Sequence, residues 1–219
     1  MRRVLVVAAA CAAAAGFAAV GAGATNECRG LQVCVPVVGP WVVTGGGEVS
    51  FELSCPARFV VGGLDAELSR RGVDVAFRGR LGSPVNPGIT TSTSAVFLAR
   101  LLVQGPSATF RPHLGCIPAS GGGERFPTVY RPQQAIVPTA VQITVTAGVR
   151  RYATHCAAGM RLIGATHAIG FYTDAPPEMP LVRSIGVRQT ITGGIVHLVV
   201  RAGPLEGVSA IVQVDMLCA

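Results

Sequence analysis

Two pairs of cysteines divide most of this chain into two brackets of nearly equal length. Cys55 and Cys116 lie 61 positions apart, and Cys156 and Cys218 lie 62 positions apart. Similar residues recur at matching places inside the brackets, namely Val61-Gly62-Gly63 with Leu162-Ile163-Gly164 and residues 105–108 with residues 207–210. The pattern predicts a duplicated module in which each copy is closed by a disulfide.

The start of the chain has the layout of a signal peptide. Arg2-Arg3 precede an uncharged run over residues 4–20, and the small residues 22–24 follow it. Signal peptidase cleaves after a basic start, an apolar segment and a small-residue site in this order. We therefore predict that residues 1–24 are a signal peptide cleaved near Ala24, and that the protein is secreted or extracytoplasmic.

The cysteines that remain after this cleavage are six in number. An even number in an exported chain predicts three disulfides, although the sequence does not decide their connectivity. The repeat favours Cys55–Cys116 and Cys156–Cys218, which leaves Cys28–Cys34 to close a short N-terminal loop. A lipoprotein anchored through Cys11 is an alternative interpretation of the N-terminus.

The composition indicates a folded protein without a nucleic-acid partner. Half of the residues are hydrophobic, which argues against disorder. The net charge is +7, and all of the basic residues that contribute to it are arginine, since the chain has no lysine. These arginines are scattered singly or in the pairs Arg70-Arg71 and Arg150-Arg151, whereas nucleic-acid binders cluster their cations on one face. We expect no transmembrane segment in the mature chain and an unknown extracellular or envelope partner.

Strand signals dominate the mature chain. Residues 141–146 alternate apolar and polar side chains with a period of two, as in a half-buried strand. Residues 195–200 form a denser apolar run, which is typical of a strand covered on both faces. Further strand signals lie at residues 41–44, 59–61, 73–77, 95–99 and 211–216. Short strands separated by glycine and proline turns predict an all-β fold of two tandem sandwich-like antiparallel modules, stabilised by disulfides.

The turn residues also suggest where the segments of the chain begin and end. We predict an N-terminal segment with the Cys28–Cys34 loop at 25–44, module 1 at 45–118, a Pro/Gly-rich linker at 119–138 and module 2 at 139–219. Proline and glycine are too dense in the linker for a regular element. Residues 94–104 are the one stretch that could also form a helix.

The bracket motif resembles a known type of repeat. Cys55-Pro56-Ala57, followed by Val61-Gly62-Gly63, resembles a cysteine-bracketed β-repeat of uncharacterised bacterial secreted and surface proteins, with a Cys-Pro-x-Gly start and a Cys-Ala end. The chain ends in Cys218-Ala219, which matches that end. It departs from the motif at Arg58, which replaces the glycine, and at Ala157, which replaces the proline. The resemblance implies an exported β protein and transfers no catalytic residue.

Candidate catalytic residues are few. Asp65 and Glu67 lie on one face of a predicted strand, about 7 Å apart, near the separation of glycosidase acids. We interpret them as a solvated face paired with neighbouring arginines. A triad of His113, Asp74 and some serine is a chance combination, since no nucleophile-elbow motif is present. His155-Cys156 lacks the ligand spacing of a zinc site. We predict no catalytic, metal or cofactor site.

Two proline-containing loops are the candidate binding sites. They are residues 82–88, with Ser83, Pro84, Asn86 and Pro87, and residues 172–180, with Asp174, Pro176 and Pro177. Proline lowers the entropic cost of ordering a loop, and loops on a rigid sheet commonly carry recognition. We predict a non-enzymatic binding or structural protein outside the cytoplasm. The alternatives are a secreted hydrolase with a site in one module, and an envelope adhesin or carbohydrate-binding protein.

Overall fold

A computed structural model describes residues 25–45, 47–78, 93–102, 105–119 and 137–219. The predicted signal peptide, the candidate loop at 82–88 and most of the predicted linker lie outside these residues. Below, the N-terminal half means residues 25–119 and the C-terminal half means residues 137–219.

The described residues form strands joined by turns, with one short helix, so the predicted all-β class is confirmed. In chain order the elements are β1 (Val35–Val38), β2 (Trp41–Thr44), β3 (Val49–Ser54), β4 (Phe59–Leu68), β5 (Val73–Arg78), β6 (Ser94–Leu101), β7 (Ala108–Pro118), β8 (Val137–Thr144), β9 (Gly148–His155), β10 (Leu162–Tyr172), α1 (Met179–Arg183), β11 (Ile185–Thr192), β12 (Ile195–Ala202) and β13 (Ser209–Cys218). In the part of the chain that is described, none of the helical structure is long and apolar enough to span a membrane.

The strands form three antiparallel sheets. The central sheet has the order β1-β7-β2-β10-β13-β8, with β4 on the other edge of β7. The N-terminal sheet has the order β3-β6-β5, and the C-terminal sheet has the order β11-β12-β9. Strand β2 pairs with β7 of its own half and, through Val42 and Gly170, with β10 of the other half. The two cysteine brackets therefore share one continuous sheet.

The strand pairings of the two halves correspond. The long strand that ends each bracket, β7 or β13, pairs with a strand whose register shifts near the closing cysteine. The shift lies between Val61 and Gly63 in the N-terminal half and between Leu162 and Gly164 in the C-terminal half. These are the segments whose similarity was visible in the sequence, so a shared local geometry accounts for that similarity.

Two hydrophobic cores lie between the central sheet and the smaller sheets. Phe51, Phe97 and Phe110 are fully buried in the N-terminal core. The C-terminal core includes the fully buried Phe171, Leu198 and Met216, among others. Two residues of the C-terminal half, Ala168 and Ile211, belong to the N-terminal core. The halves therefore pack on each other as well as sharing a sheet.

Three disulfides join the cysteine pairs that the repeat favours: Cys28–Cys34, Cys55–Cys116 and Cys156–Cys218. The Cα atoms of each bracket pair are 5.8 Å apart, which is an ordinary disulfide separation. Each bracket disulfide ties the residue after β3 or β9 to the end of the long strand of the same half. Three such bonds suit an oxidising, extracytoplasmic compartment.

The structure differs from the sequence expectations at the short helix and at β12. Residues 94–101 form strand β6, which agrees with the strand signal at 95–99. The helix α1 begins at Met179, at the end of the proline-rich segment 172–180, and has a proline in its first turn, where it is tolerated. Strand β12 is covered on one face only, because Val196, Leu198 and Val200 are buried whereas His197 and Arg201 are exposed. The dense apolar sequence of β12 concealed this alternation, since Ile195 and Val199 also occupy the outer face.

Candidate functional site

The predicted carboxylate pair is used in contacts within the fold. Asp65 Oδ2 accepts a hydrogen bond of 2.6 Å from the backbone N–H of Asn26. Glu67 Oε2 lies 3.2 Å from His113 Nε2 and 3.9 Å from the guanidinium of Arg111. The interpretation as a solvated face is therefore wrong for Glu67, whose side chain is mostly buried. Both carboxylates are therefore engaged by groups of the protein itself.

A buried carboxylate that sequence reasoning placed outside the modules completes this cluster. Glu27 lies next to the Cys28–Cys34 disulfide, and its Oε1 is 3.7 Å from His113 Nδ1. Glu27 and His113 are only 7% and 5% exposed. The imidazole therefore lies between two carboxylates and is closed to a substrate. Its role is to hold the N-terminal segment against β4 and β7.

The suggested triad is not assembled. His113 contacts Glu67 and Glu27, whereas Asp74 forms an ion pair of 3.1 Å with Arg100 in another sheet. His155 Nδ1 lies 2.8 Å from the carbonyl oxygen of Cys156, whose sulfur is in a disulfide. No group of three His, Cys, Asp or Glu side chains suited to a metal occurs among the described residues.

The candidate loop at 172–180 lies on the surface. Asp174 and Pro176 are exposed and Pro177 is half-buried. The carbonyl oxygen of Asp174 accepts a hydrogen bond of 3.4 Å from Arg111 Nη1. This contact fastens the loop to β7, and the structure brings none of the loop residues to the cleft described next. Ser83, Pro84, Asn86 and Pro87 lie outside the described residues.

A cleft of about 450 Å³ lies where the two halves meet. One wall is formed by residues before and at the start of β3, including Glu48 and Val49. The other wall is formed by β10 and β11 and includes Thr166, His167 and Gln189. The cleft exists because β3 packs across β10 and β13 of the other half. It is therefore a product of how the halves dock.

A chain of hydrogen bonds leads from this cleft to the partly buried carboxylate of Asp215. Ser50 Oγ donates to Asp215 Oδ2 at 2.6 Å, and Thr166 Oγ1 lies 3.0 Å from Ser50 Oγ. Because Ser50 has one hydroxyl hydrogen and uses it on Asp215, Thr166 donates to Ser50. The hydroxyl of Thr166 thus links the cleft to the carboxylate.

Partial burial raises the pKa of Asp215 above that of an ordinary aspartate. Desolvation raises the pKa of Asp215 to about 6, the hydrogen bond from Ser50 opposes the rise, and the negative charge of Glu52 adds to it. When Asp215 is protonated it can donate to Ser50, and Ser50 can then donate to Thr166. Protonation therefore reverses the direction of the chain and leaves the Thr166 hydrogen available to the cleft.

The second polar group of the cleft is the hydrogen-bonded pair of Gln189 and His167, in which the orientation of the Gln189 amide is fixed. Gln189 Nε2 donates to the carbonyl oxygen of Ala165 at 2.8 Å, so its Oε1 is the atom that lies 2.9 Å from His167 Nδ1. An amide oxygen only accepts hydrogen bonds, which places a hydrogen on Nδ1. In the neutral imidazole Nε2 is then an acceptor.

The hydroxyl of Ser50 has a carboxylate and a second hydroxyl as its partners. Ser50 donates its hydroxyl hydrogen to Asp215 and lies beside Thr166, and no histidine contacts its hydroxyl among the described residues. Sequence reasoning missed this site because Ser50 and Asp215 are 165 positions apart, and neither belongs to a recognisable motif. Comparisons of the chain with protein families, curated proteins and solved structures give no match.

Proposed function

We propose that this chain is an exported, non-enzymatic binding protein whose ligand occupies the cleft between the two halves. The observation that carries the proposal is the convergence of polar groups from both halves, Glu48 from one and Thr166 with His167 from the other, on one cleft. Small-molecule sites commonly combine a concave apolar lining with a few oriented polar groups. Three disulfides and the signal-peptide layout of residues 1–24 support export.

The charges favour a neutral or cationic polar ligand. Glu48 lines the cleft and Asp215 lies behind Thr166, whereas none of the described residues that line the cleft is an arginine. A ligand that offers hydroxyl or amino groups would find acceptors in Glu48 and in Nε2 of His167. An anionic ligand would meet repulsion.

A secreted hydrolase has less support. The one histidine between two carboxylates, His113, is buried beneath the N-terminal segment. Ser50 is bonded to Asp215 and Thr166 and contacts none of the described histidines, so the histidine-based activation of a serine hydrolase is not seen at its hydroxyl. Both groups are better suited to holding parts of the fold together.

We also propose that the two brackets are copies of one module. The equal position of the register shift, at Gly63 and Gly164, and the matching disulfides support this origin. Since β2 joins both copies in one sheet, the pair would act as a single body.

A ligand screen on the secreted protein tests the cleft. Neutral sugars, amino sugars and small amines are titrated while the thermal midpoint is followed. A ligand of the cleft should raise the midpoint saturably in the wild type and less in Thr166→Val, which removes the cleft hydroxyl. Thr192→Val, an exposed threonine of β11, is the matched control. An equal response of wild type and Thr166→Val to every compound that binds would overturn the assignment of the cleft.

N-terminal sequencing tests export. A secreted protein that begins near residue 25 would support it. Retention of residues 1–24 in the cytoplasmic fraction would contradict it.

A further inference from the structure

The outer face of the C-terminal sheet is open to solvent and lacks acidic residues. Its three strands, β9, β11 and β12, contain no aspartate or glutamate. On β12 the side chains that alternate with the buried ones include the exposed His197 and Arg201. Nothing in the described part of the chain covers this face.

The register of the sheet gathers arginines that are far apart in the sequence. Arg151 of β9 and Arg188 of β11 both pair with Val199 of β12, one from each side. Since neighbouring strands are about 4.8 Å apart, the Cα atoms of the two arginines are about 10 Å apart. Arg201 lies two residues further along β12, on the same face. These three arginines are called the cationic face below.

The charges of the cationic face are not neutralised within the described residues. All three arginines are exposed, and the ion pairs found in the described part of the chain involve other residues. Unpaired like charges within about one Debye length of each other repel. An external anion would remove this repulsion.

The N-terminal sheet has the same strand arrangement, but its matching arginine is neutralised by an ion pair. Arg100 of β6 lies as far after Cys55 as Arg201 of β12 lies after Cys156. The cross-strand partner of Arg100 is Asp74, whereas that of Arg201 on β11 is Gly186. Arg100 and Asp74 form an ion pair of 3.1 Å. Arg201 has no such partner, because glycine stands at the equivalent position. The unpaired charge is therefore a property of the C-terminal half and not of the module.

We propose that the cationic face binds a linear acidic polysaccharide. A guanidinium can pair with a carboxylate or sulfate through two parallel hydrogen bonds. The spacing of about 10 Å across the sheet lets one extended polymer chain contact several arginines at once. The exposed Thr190 and His197, paired across β11 and β12, offer hydrogen-bonding groups for sugar hydroxyls between the charges.

The composition of the face favours a polysaccharide over nucleic acid. Proteins that bind single strands stack bases on aromatic side chains, and the outer positions of these three strands carry no phenylalanine, tyrosine or tryptophan. Tyr152 of β9 lies opposite Leu198, on the core side. Duplex readers insert a helix or a two-stranded ribbon into the major groove, whereas this face is a three-stranded surface.

Binding to dextran sulfate and polygalacturonate by the whole secreted protein tests the proposal. The variant Arg151→Gln/Arg188→Gln/Arg201→Gln should lose at least about tenfold in affinity for one of these polymers, with a weaker dependence on salt. The control variant carries glutamine at three other exposed arginines, Arg29, Arg58 and Arg161, and changes the net charge equally. It should bind nearly as well as the wild type. Unchanged thermal midpoints show that both variants are folded, and Arg188→Gln alone is the fallback, with an intermediate loss expected.

Three results would overturn the proposal. The first is an equal loss in the control variant, which would indicate an effect of net charge only. The second is absence of binding to both polymers by the wild type at low salt. The third is binding to duplex DNA or to anionic phosphatidylglycerol vesicles that is as tight as binding to the polysaccharides and equally dependent on the three arginines.

Discussion

The side-chain amide of Gln213 pairs with the backbone of Glu52 through both of its polar atoms. The Glu52 N–H donates to Oε1 of Gln213 at 2.5 Å, and Nε2 of Gln213 donates to the Glu52 carbonyl oxygen at 2.9 Å. Gln213 is only 1% exposed. The amide thus supplies the two hydrogen bonds that a neighbouring strand would give to Glu52 of β3. These bonds fix the position of β3 relative to β13.

Replacement of Gln213 by leucine should weaken the contact between the halves. The change leaves the backbone N–H and carbonyl of Glu52 without partners in a poorly hydrated place, and the free energy of unfolding should fall by about 2 to 4 kcal/mol. Urea unfolding measures the loss. Gln142→Leu, on the strand next to β13, is the control because Gln142 is exposed. Equal stability of the two variants would contradict the role of the amide.

Replacement of Gly63 by alanine should displace the N-terminal segment. A Cβ at Gly63 would lie 1.8 Å from the carbonyl oxygen of Glu27, which the backbone cannot tolerate. Limited proteolysis should then release the segment that contains the Cys28–Cys34 loop. Gly164 occupies the matching place in the C-terminal half and has open space around it, so Gly164→Ala should leave proteolysis unchanged. Protection of the segment in Gly63→Ala would refute the predicted displacement.

Replacement of Asp215 by asparagine should alter how stability depends on pH. The pKa of Asp215 is raised from 3.8 to about 6 by burial, so the folded protein holds this proton more tightly than the unfolded chain. The resulting stabilisation is complete below pH 3.8 and is lost as the pH rises through about 6. The loss amounts to at most about 3 kcal/mol, reduced by partial solvent screening.

The asparagine variant keeps an acceptor for Ser50 and has no charge to bury. Above pH 6 it should be more stable than the wild type, and its curve should be flatter between about pH 4 and 6. Urea midpoints across this range measure the difference. Asp74→Asn, at an exposed ion pair, is the control and should keep the shape of the wild-type curve between these values. Parallel curves for wild type and Asp215→Asn would show that Asp215 does not titrate in this window.

Loss of a disulfide should cost more stability when the bond closes a longer loop, with a logarithmic dependence on loop length. On the chain-entropy estimate, replacing Cys55 and Cys116 by alanine should cost about 4 kcal/mol, because the bond closes a loop of 61 positions. Replacing Cys28 and Cys34 should cost about 2 kcal/mol through the shorter loop. Non-reducing peptide mapping checks the connectivity. A peptide that joins Cys55 to Cys156 would contradict the two-bracket arrangement.

The strands were largely predictable because their pattern is local. The side chains of residues 73–77 alternate in polarity, as expected of a half-buried strand, and β5 spans Val73–Arg78. Residues 94–104 were ambiguous, because only the pairing of β6 with β3 and β5 decides between strand and helix. Helix α1 was missed because its five residues are too short for a helical period to be visible.

The candidate site and the cationic face could not be predicted in the same way. Glu27 meets His113 only because the N-terminal segment crosses β4 and β7, and the Ser50–Asp215 bond requires the halves to dock. Arg151 and Arg188 look scattered in the sequence and become neighbours only through the register of β9 and β11 on β12.

By itself the sequence determined the all-β class, most strand positions and the favoured cysteine pairs, since alternation and repeated spacing are properties of nearby residues. The tertiary structure decided which side chains from distant strands share a cleft or a face. The physical reason is that antiparallel register and sheet docking are set by long-range hydrogen bonds and core packing, which leave no signature in any short stretch of sequence.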